Sequence, residues 1–401
     1  MPAAQTREIA PAQRLENLRY AIRDLVSLAD EVKRQGHKVL YLNVGDPNIF
    51  DFAPPAHMIE AAYRAMRDNK NGYAPSAGVP EALDAIRGEA KKNGISTVQD
   101  VFITNGAGEA VDLCLTALLN PGDNVLTPRP DYPLYPAVLC KVGAEPNPYY
   151  LNEDDGWQPE LEDIKKRINS RTKAIVLINP NNPTGALCTR KMLQDLAEVA
   201  RQNNLLIIAD EIYDKLILDG GEHISIAAVA PDVPVVTIGG LSKNYLAPGW
   251  RMGWAIVSGE ASVVKPYIEG IHKMLRARLS ANHPEQYAIK PALEGPQNHL
   301  IEVRRKLTAR RDLTVETCNS IPGMSCVPPR GAFYAFPRID VPEDDTTWVK
   351  QLLREKHILT VQGSGFGQKP GSKHFRIVFL PQEEMLRKAY SEIRDFMKAR
   401  S

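Results

Sequence analysis

The chain has 401 residues, enough for one large domain and one smaller. Hydrophobic residues make up 43% and charged residues 24%, with a formal net charge of +1, so nothing global draws the protein to nucleic acid or to a membrane surface. Five scattered cysteines, Cys114, Cys140, Cys188, Cys318 and Cys326, form no CxxC pair, which speaks against a disulfide framework and a zinc site and for a reduced, cytoplasmic setting.

In chain order, the opening MPAAQTREIAPAQR lacks an apolar signal core and reads as a loose arm of an unexported protein. Leu18 to Gln35 has helical periodicity and leads into VLYLNVG. From residue 100, short β-branched runs alternate with helical patterns: DVFIT at 100–104, NVLTP at 124–128, AIVLI at 174–178, LLIIA at 205–209, VVTI at 235–238 and WAIV at 254–257. Leu161 to Ile168 and Lys191 to Gln202 are amphipathic helix candidates between them. Beyond about residue 285 the rhythm changes to a long helix over Leu300 to Asn319. Strand candidates follow at Ser325 to Val327, Ala332 to Pro337 and Phe375 to Leu380, and then a last helix. Basic clusters in that region, Arg304-Arg305-Lys306 and Arg310-Arg311, lie among acids and read as solvated faces. The expected fold class is α/β, with a large domain whose mostly parallel sheet is covered by helices, plus a smaller α+β domain. The expected division is an N-terminal arm and helix near the small domain (1–45), the large domain (46–285) and the small domain (286–401).

Ligands of open parallel sheets bind beyond the carboxyl ends of the strands. Those ends here carry NGAGEA after DVFIT, NPNNPTG after AIVLI, DEIY after LLIIA and GGLSK after VVTI. The first is a glycine-bearing turn into a helix, with backbone amides of Ala107, Gly108 and Glu109 at a positive helix end, suited to a phosphate. Lys243, in apolar surroundings, is a candidate amine nucleophile toward a carbonyl. Arg251, eight positions on, can return to a phosphate held nearby. Asp210 would be a costly buried carboxylate unless a cation such as a protonated ring nitrogen met it. Asn182 and Tyr213 can both hydrogen-bond an oxygen on such a ring. Each feature alone is ordinary; together, at four strand ends, they describe a site for pyridoxal 5′-phosphate.

At this point the chain is identified as a member of the class I/II aminotransferases of the aspartate aminotransferase fold, a resemblance covering about residues 15 to 398. YLNVGDP, NGYAPSAGVPEALDAI, PDYPLY, INPNNPTGA, ADEIYD, GLSKNYLAPGWRMGW, PRGAFYAFP and HFRIVFLP resemble family blocks in family order. Within the family the chain is most similar to the alanine aminotransferase group, through LENLRYAIRD, GWQPELEDIKKRI, GEHISIA, RARLSANHPEQYAI and VQGSGFG. The resemblance implies that Lys243 takes the cofactor aldehyde and then shuttles the proton at the substrate Cα. It implies that Asp210 holds the pyridinium proton, that Asn182 and Tyr213 contact the ring hydroxyl, and that Tyr132 stacks on the ring. Ala107, Gly108, Ser242 and Arg251 would face the phosphate, with Tyr73 reaching over from the other subunit of a homodimer. Arg376 would grip the substrate α-carboxylate, helped by the amide of Gly45, with Asn182 also near the substrate.

The chain departs from the family pattern where many relatives carry a phosphate-binding serine three positions before the lysine: it has Gly240, leaving Ser242 as the substitute. The implied reaction is a ping-pong exchange between L-alanine and 2-oxoglutarate. For the distal carboxylate of glutamate Arg23 is the candidate and Arg278 the alternative. Aspartate, aromatic or broad-specificity aminotransferases and a carbon–sulfur lyase share the same motifs. A non-catalytic effector module would need an attached DNA-binding segment, and no helix-turn-helix pattern precedes residue 45. The four tryptophans, Trp157, Trp250, Trp254 and Trp348, read as packing residues, Trp250 lying close enough to the lysine loop to line the site. His223, His283 and His374 carry no assigned role, since the lysine supplies the base.

Overall fold

The computed structural model describes residues 9–15 and 25–400. Of the helix expected over Leu18 to Gln35, the described part is Val26–Arg34; Arg23 lies outside the described residues. The chain then enters β1 (Leu40–Tyr41) and later a run of eight strands: β2 (Val98–Asn105), β3 (Asn124–Arg129), β4 (Glu145–Asn152), β5 (Gln158–Pro159), β6 (Thr172–Ile178), β7 (Leu206–Asp210), β8 (Val235–Gly240) and β9 (Met252–Ser258). They form one sheet in the order β2-β9-β8-β7-β6-β3-β4-β5. Neighbours from β8 through β4 are parallel, while β9 runs antiparallel to both β8 and β2, and β5 antiparallel to β4.

Alternation along these strands explains why both faces are covered. Phe102, Val125, Val176, Ile208, Val236 and Val257 pack with the helices Ala107–Leu118, Leu134–Val142 and Ala261–Arg278. Their neighbours Ile103, Leu126, Ile175, Ile207, Val235 and Ile256 face the other way, toward the helices Pro80–Lys92 and Arg190–Gln202. The helix Ile289–Glu294 joins this second cluster through Ile289, Ala292 and Leu293.

A third cluster gathers the long helix Asn298–Asn319, the helices Asp345–Lys356 and Glu383–Lys398, and the short strands β10 (Met324–Ser325), β11 (Tyr334–Ala335), β12 (Arg338–Ile339), β13 (Ile358–Leu359) and β15 (Phe375–Val378), while Val361 of β14 (Val361–Gln362) packs in the second cluster. The N-terminal segment belongs to the third cluster: β1 pairs in parallel with β13, Leu40 opposite Ile358, and Ala29, Val32 and Leu42 are buried in the same cluster. β11, β15 and β14 form an antiparallel three-stranded sheet.

One reading is corrected. Arg310 and Arg311 are not a solvated face but are 5% and 4% exposed. Arg310 Nη2 donates to both carboxylate oxygens of Asp51, and Arg311 reaches Asp219 and the Pro329 carbonyl. These arginines sit on the inner side of their helix because carboxylates from distant loops neutralise them there. The strand β4 is absent from the sequence reading because Pro146 and Pro148 interrupt it. Both share the alternation of Tyr150, whose amide points away from β3 and is met by the Asp163 carboxylate at 3.0 Å, so the missing N–H groups fall on the outer edge. All five cysteines are free thiols. Among the described residues no helix is long and apolar enough to cross a membrane, and no cluster of three or more His, Cys, Asp or Glu is placed to hold a metal ion.

Candidate active site

Register brings the polar residues into one row. Ile178 pairs with Asp210, Asp210 with Ile238, Gly240 with Gly253, and Gly253 with Thr104. Because β9 is antiparallel, the connection from β8 to β9 leaves and re-enters the sheet at the same edge. Lys243 and Arg251 stand near its two ends. A cavity of about 730 Å³ opens over this row.

Lys243 is half-buried and donates a 2.8 Å hydrogen bond to the Gly45 carbonyl. Its ammonium also lies 5.6 Å from the centre of the Phe333 ring. Burial pushes its pKa down to about 8; the Arg376 and Arg251 charges push the same way, against the pull of Asp46 and Asp210. Asp210 is 7% exposed. It accepts from the Tyr135 hydroxyl at 3.0 Å and from the Ile212 amide at 3.4 Å, and among the described residues no cation bonds it. Burial raises its pKa to about 6 in spite of those bonds. A buried carboxylate facing a cavity with only neutral donors has room for a cationic partner.

At the end of β2, Gly106 takes φ +81° and starts the helix Ala107–Leu118 with no side-chain cap. Glu109 departs from the expectation: its amide bonds the Gly106 carbonyl at 3.1 Å, and its carboxylate turns back to the Asn105 amide at 2.6 Å. The amides of Ala107 and Gly108 remain at the cavity-facing helix end. The Arg251 guanidinium lies against Gly106: a Cβ there would stand 2.7 Å from Arg251 Cζ. Arg251 is held by the Pro248 carbonyl at 3.0 Å and the Asn105 carbonyl at 3.4 Å. Together these groups make an anion cradle. Ser242 lines the same cavity and is buried.

On the far wall, Arg376 of β15 is 2% exposed. Its Nη1 donates to Asn182 Oδ1 at 3.0 Å and its Nη2 to the Asn43 carbonyl. The rings of Tyr334 and Phe366 lie 4.7 and 4.8 Å from its guanidinium carbon. Tyr213 is buried and shares a 3.0 Å hydroxyl contact with Tyr334. Burial and the Tyr334 hydroxyl raise its pKa well above the usual range. Tyr132 and Gly45 complete the lining among the residues expected from sequence.

Three residues are not brought to this cavity within one chain. Trp250, expected beside the lysine loop, is absent from the lining and packs against the second cluster. Tyr73 is 84% exposed and stands outside it. Arg278 pairs with Glu109 at 3.0 Å and donates to the carbonyls of Ser76 and Ile103, bracing the turn beneath the cradle instead of lining the cavity. Tyr135, Tyr334 and Asn43 belong to the site and carry no role in the sequence reading. PRGAFYAFP contains Tyr334, PDYPLY ends on Tyr135 and YLNVGDP contains Asn43, so motifs pointed at all three segments while attaching no role to these positions.

Glycines keep the site narrow. At Gly240 a Cβ would stand 2.8 Å from the Met252 carbonyl and 3.1 Å from Ile212 Cδ1, so the departure noted there has a local cause: β8 and β9 pass too closely for a side chain. At Gly45 a Cβ would come within 2.9 Å of the Phe333 and Tyr334 rings.

The family model for aminotransferase class I and II matches residues 37–393. The chain is 42% identical to the glutamate-pyruvate aminotransferase AlaA of Haemophilus influenzae over 395 residues, covering 96% of this chain and 97% of that one. Among solved structures, the alanine aminotransferase from Pyrococcus furiosus superposes with a TM-score of 0.94 at 42% identity, covering 98% of this chain and 100% of the other. A single mutant of the aspartate aminotransferase from Thermus thermophilus superposes with a TM-score of 0.88 at 30% identity, covering 97% of this chain and 100% of that one. Fold, motif order and matched length agree, and this chain belongs to the class I and II aminotransferases of the aspartate aminotransferase fold.

Proposed function

We propose that the cavity holds pyridoxal 5′-phosphate and that the enzyme exchanges the amino group of L-alanine with 2-oxoglutarate, giving pyruvate and L-glutamate by a ping-pong route. One observation carries the reading: an amine whose pKa falls to about 8, a buried carboxylate bonded only by neutral donors and a buried arginine face one cavity. The choice of alanine is supported by the relatives at about 40% identity, named glutamate-pyruvate or alanine aminotransferase. The cradle test favours the cofactor, since uncapped amides and Arg251 surround a place where glycine alone fits.

When bound, pyridoxal phosphate supplies an aldehyde for the amino group and a cationic ring that withdraws electrons from the substrate Cα. Asp210 would keep the ring nitrogen protonated, with Tyr135 holding the carboxylate in place. Asn182 and Tyr213 would hydrogen-bond the ring hydroxyl and Tyr132 would cover the ring. Ala107, Gly108, Ser242 and Arg251 would hold the phosphate, joined by Tyr73 from a second subunit of a homodimer. Lys243 takes the proton from the substrate Cα, which its lowered pKa allows near neutrality, and returns it on the other side of the exchange. Arg376, steadied by Asn182, binds the α-carboxylate common to both substrates, with the Gly45 amide beside it. Arg23 is kept as the candidate for the distal carboxylate of glutamate.

We read the hydrophobic clusters as domain boundaries: a large domain carrying the eight-stranded sheet, and a small one formed by the C-terminal third together with the N-terminal segment through β1 and β13. A cytoplasmic homodimer is the working assembly. The test is a panel of half-reactions with single amino acids, followed optically. L-alanine and L-glutamate should convert the cofactor fastest, and a preference for aspartate, an aromatic donor or a thioether would replace alanine in this reading.

A further inference from the structure

Arg376 is held by more than its hydrogen bonds to Asn182 and Asn43. Phe366, whose ring lies 4.8 Å from the guanidinium carbon, belongs to the turn Gly363–Phe366. Its ring meets the edge of Phe336 at 6.0 Å and 85°. Phe336 stacks flat on His374, 4.8 Å between centres and 4° between planes, and Trp157 meets the edges of both. A continuous column of rings thus runs from Arg376 to His374, two residues earlier on the same strand segment.

His374 is 1% exposed, and both ring nitrogens are engaged. Nδ1 contacts Gln368 Oε1 at 3.0 Å, and Nε2 contacts Glu153 Oε2 at 3.1 Å. The Gln368 amide is oriented by its own nitrogen, which donates to Asp345 Oδ2 at 2.7 Å. Both neighbours of the imidazole are therefore acceptors, and each holds the ring by one of its nitrogens. Glu153 comes from the loop after β4 in the large sheet, so this pair ties that sheet to the strand bearing Arg376. The junction is tight: a Cβ at Gly363 would lie 2.7 Å from the His374 carbonyl and 2.8 Å from its Cβ, and the Gly363 amide donates to that carbonyl at 2.8 Å. The same turn is anchored from the other side, where the Phe366 carbonyl accepts from the Asp131 amide at 2.8 Å, one residue before Tyr132.

We propose that His374 is a positioning residue for substrate binding: its two hydrogen bonds fix the ring column and the Gly363–Phe366 turn, and so the direction in which the Arg376 fork faces the cavity. This rests on the reading of Arg376 as the α-carboxylate site. Because L-alanine and 2-oxoglutarate share that carboxylate, misplacing the fork weakens both equally, and it does so before and during the chemical step alike. That pattern is a rise in KM with little change in kcat.

The experiment uses the loaded enzyme. His374→Phe keeps a ring on Phe336 and removes both ring nitrogens; it should raise KM for L-alanine and for 2-oxoglutarate by the same factor, about tenfold, with kcat within about twofold. Glu153→Gln, at a half-buried position and so safe for folding, should raise both KM values in the same ratio by a smaller factor. The double variant should be no worse than His374→Phe alone. Thermal midpoints and cofactor absorbance are recorded in parallel. A lowered midpoint with wild-type KM in both single variants, or unequal effects on the two substrates, overturns the role of His374. Arg376→Lys separates the two levels: if it leaves both KM values unchanged, the α-carboxylate assignment itself fails. If it raises them while His374→Phe and Glu153→Gln do not, only the positioning role is lost.

Discussion

The ammonium of Lys243 donates a 2.8 Å hydrogen bond to the carbonyl of Gly45, 198 residues earlier in the chain. The bond joins the loop after β8 to the segment after β1, the strand that pairs with β13. It places the only proposed base of the reaction against the backbone beside the proposed carboxylate site, so the amine stands where a bound amino acid would present its Cα.

Replacing Lys243 by alanine should abolish turnover, by at least about a thousandfold, since a positioned base and amine are lost together. In cofactor-free protein the same lysine should react with an amine-directed ester in a pH-dependent way. Its neutral fraction grows as pH rises through about 8, well below the range of an exposed lysine. Mass mapping of the modified peptide across pH checks this; an inflection above pH 10 would contradict it.

Asp210 should make the cofactor-free protein lose stability as pH rises. Its folded pKa is about 6 against the usual 3.8, so between those values the folded chain holds a proton that the unfolded chain has released. Stability therefore falls across that window, and the penalty, on the order of 3 kcal/mol, persists above it. Asp210→Asn should remove the slope and raise the thermal midpoint of the cofactor-free protein near neutrality, while eliminating activity. Midpoints at about pH 5 and pH 8 for both proteins decide the matter.

Tyr135 reaches Asp210 from the helix Leu134–Val142 and is fully buried. Tyr135→Phe removes the strongest bond holding the carboxylate and should cost about 1 to 2 kcal/mol in transition-state stabilisation, or roughly tenfold in kcat. Cofactor loading should stay near that of the parent. Steady-state rates with L-alanine, alongside the absorbance of bound cofactor, measure it.

Gly240→Ser would supply the hydroxyl that many relatives carry before the lysine. Here it should not tighten cofactor binding. Its Cβ would stand 2.8 Å from the Met252 carbonyl, so β8 and β9 must spread, at a cost of about 1 to 3 kcal/mol. A lower denaturation midpoint with unchanged or weaker cofactor affinity is the expected result, and tighter binding at unchanged stability would refute it.

Much of the site was legible because its residues sit in short motifs at strand ends. β-Branched runs mark buried parallel strands on their own, and the residue that follows each run is the one delivered to the ligand edge. Lys243, Asp210, Asn182 and the Gly106 turn could be read that way, as could the two-layer covering of the sheet. Composition and patterning also placed the α+β character of the C-terminal third.

Where those strand ends stand relative to one another was decided only in three dimensions. The reversal of β9 brings Arg251 back to the edge that Lys243 leaves, and hydrogen-bond register, a long-range property, aligns Ile178, Asp210 and Ile238. Tyr135, Tyr334, Asn43 and His374 lie inside motifs legible in the sequence, but they gain their roles through helix packing and strand pairing that those motifs do not show. Pro146 and Pro148 hid β4, since a missing amide is harmless only where no neighbouring strand pairs, and β5 reaches β4 only at Leu151 and Asn152. Likewise Arg310 and Arg311 could not be told from surface residues until Asp51 and Asp219, far away in sequence, folded against them. Local sequence determined which chemical groups were available and which segments could be strands or helices; tertiary packing decided which groups meet, because burial, register and charge pairing depend on residues hundreds of positions apart.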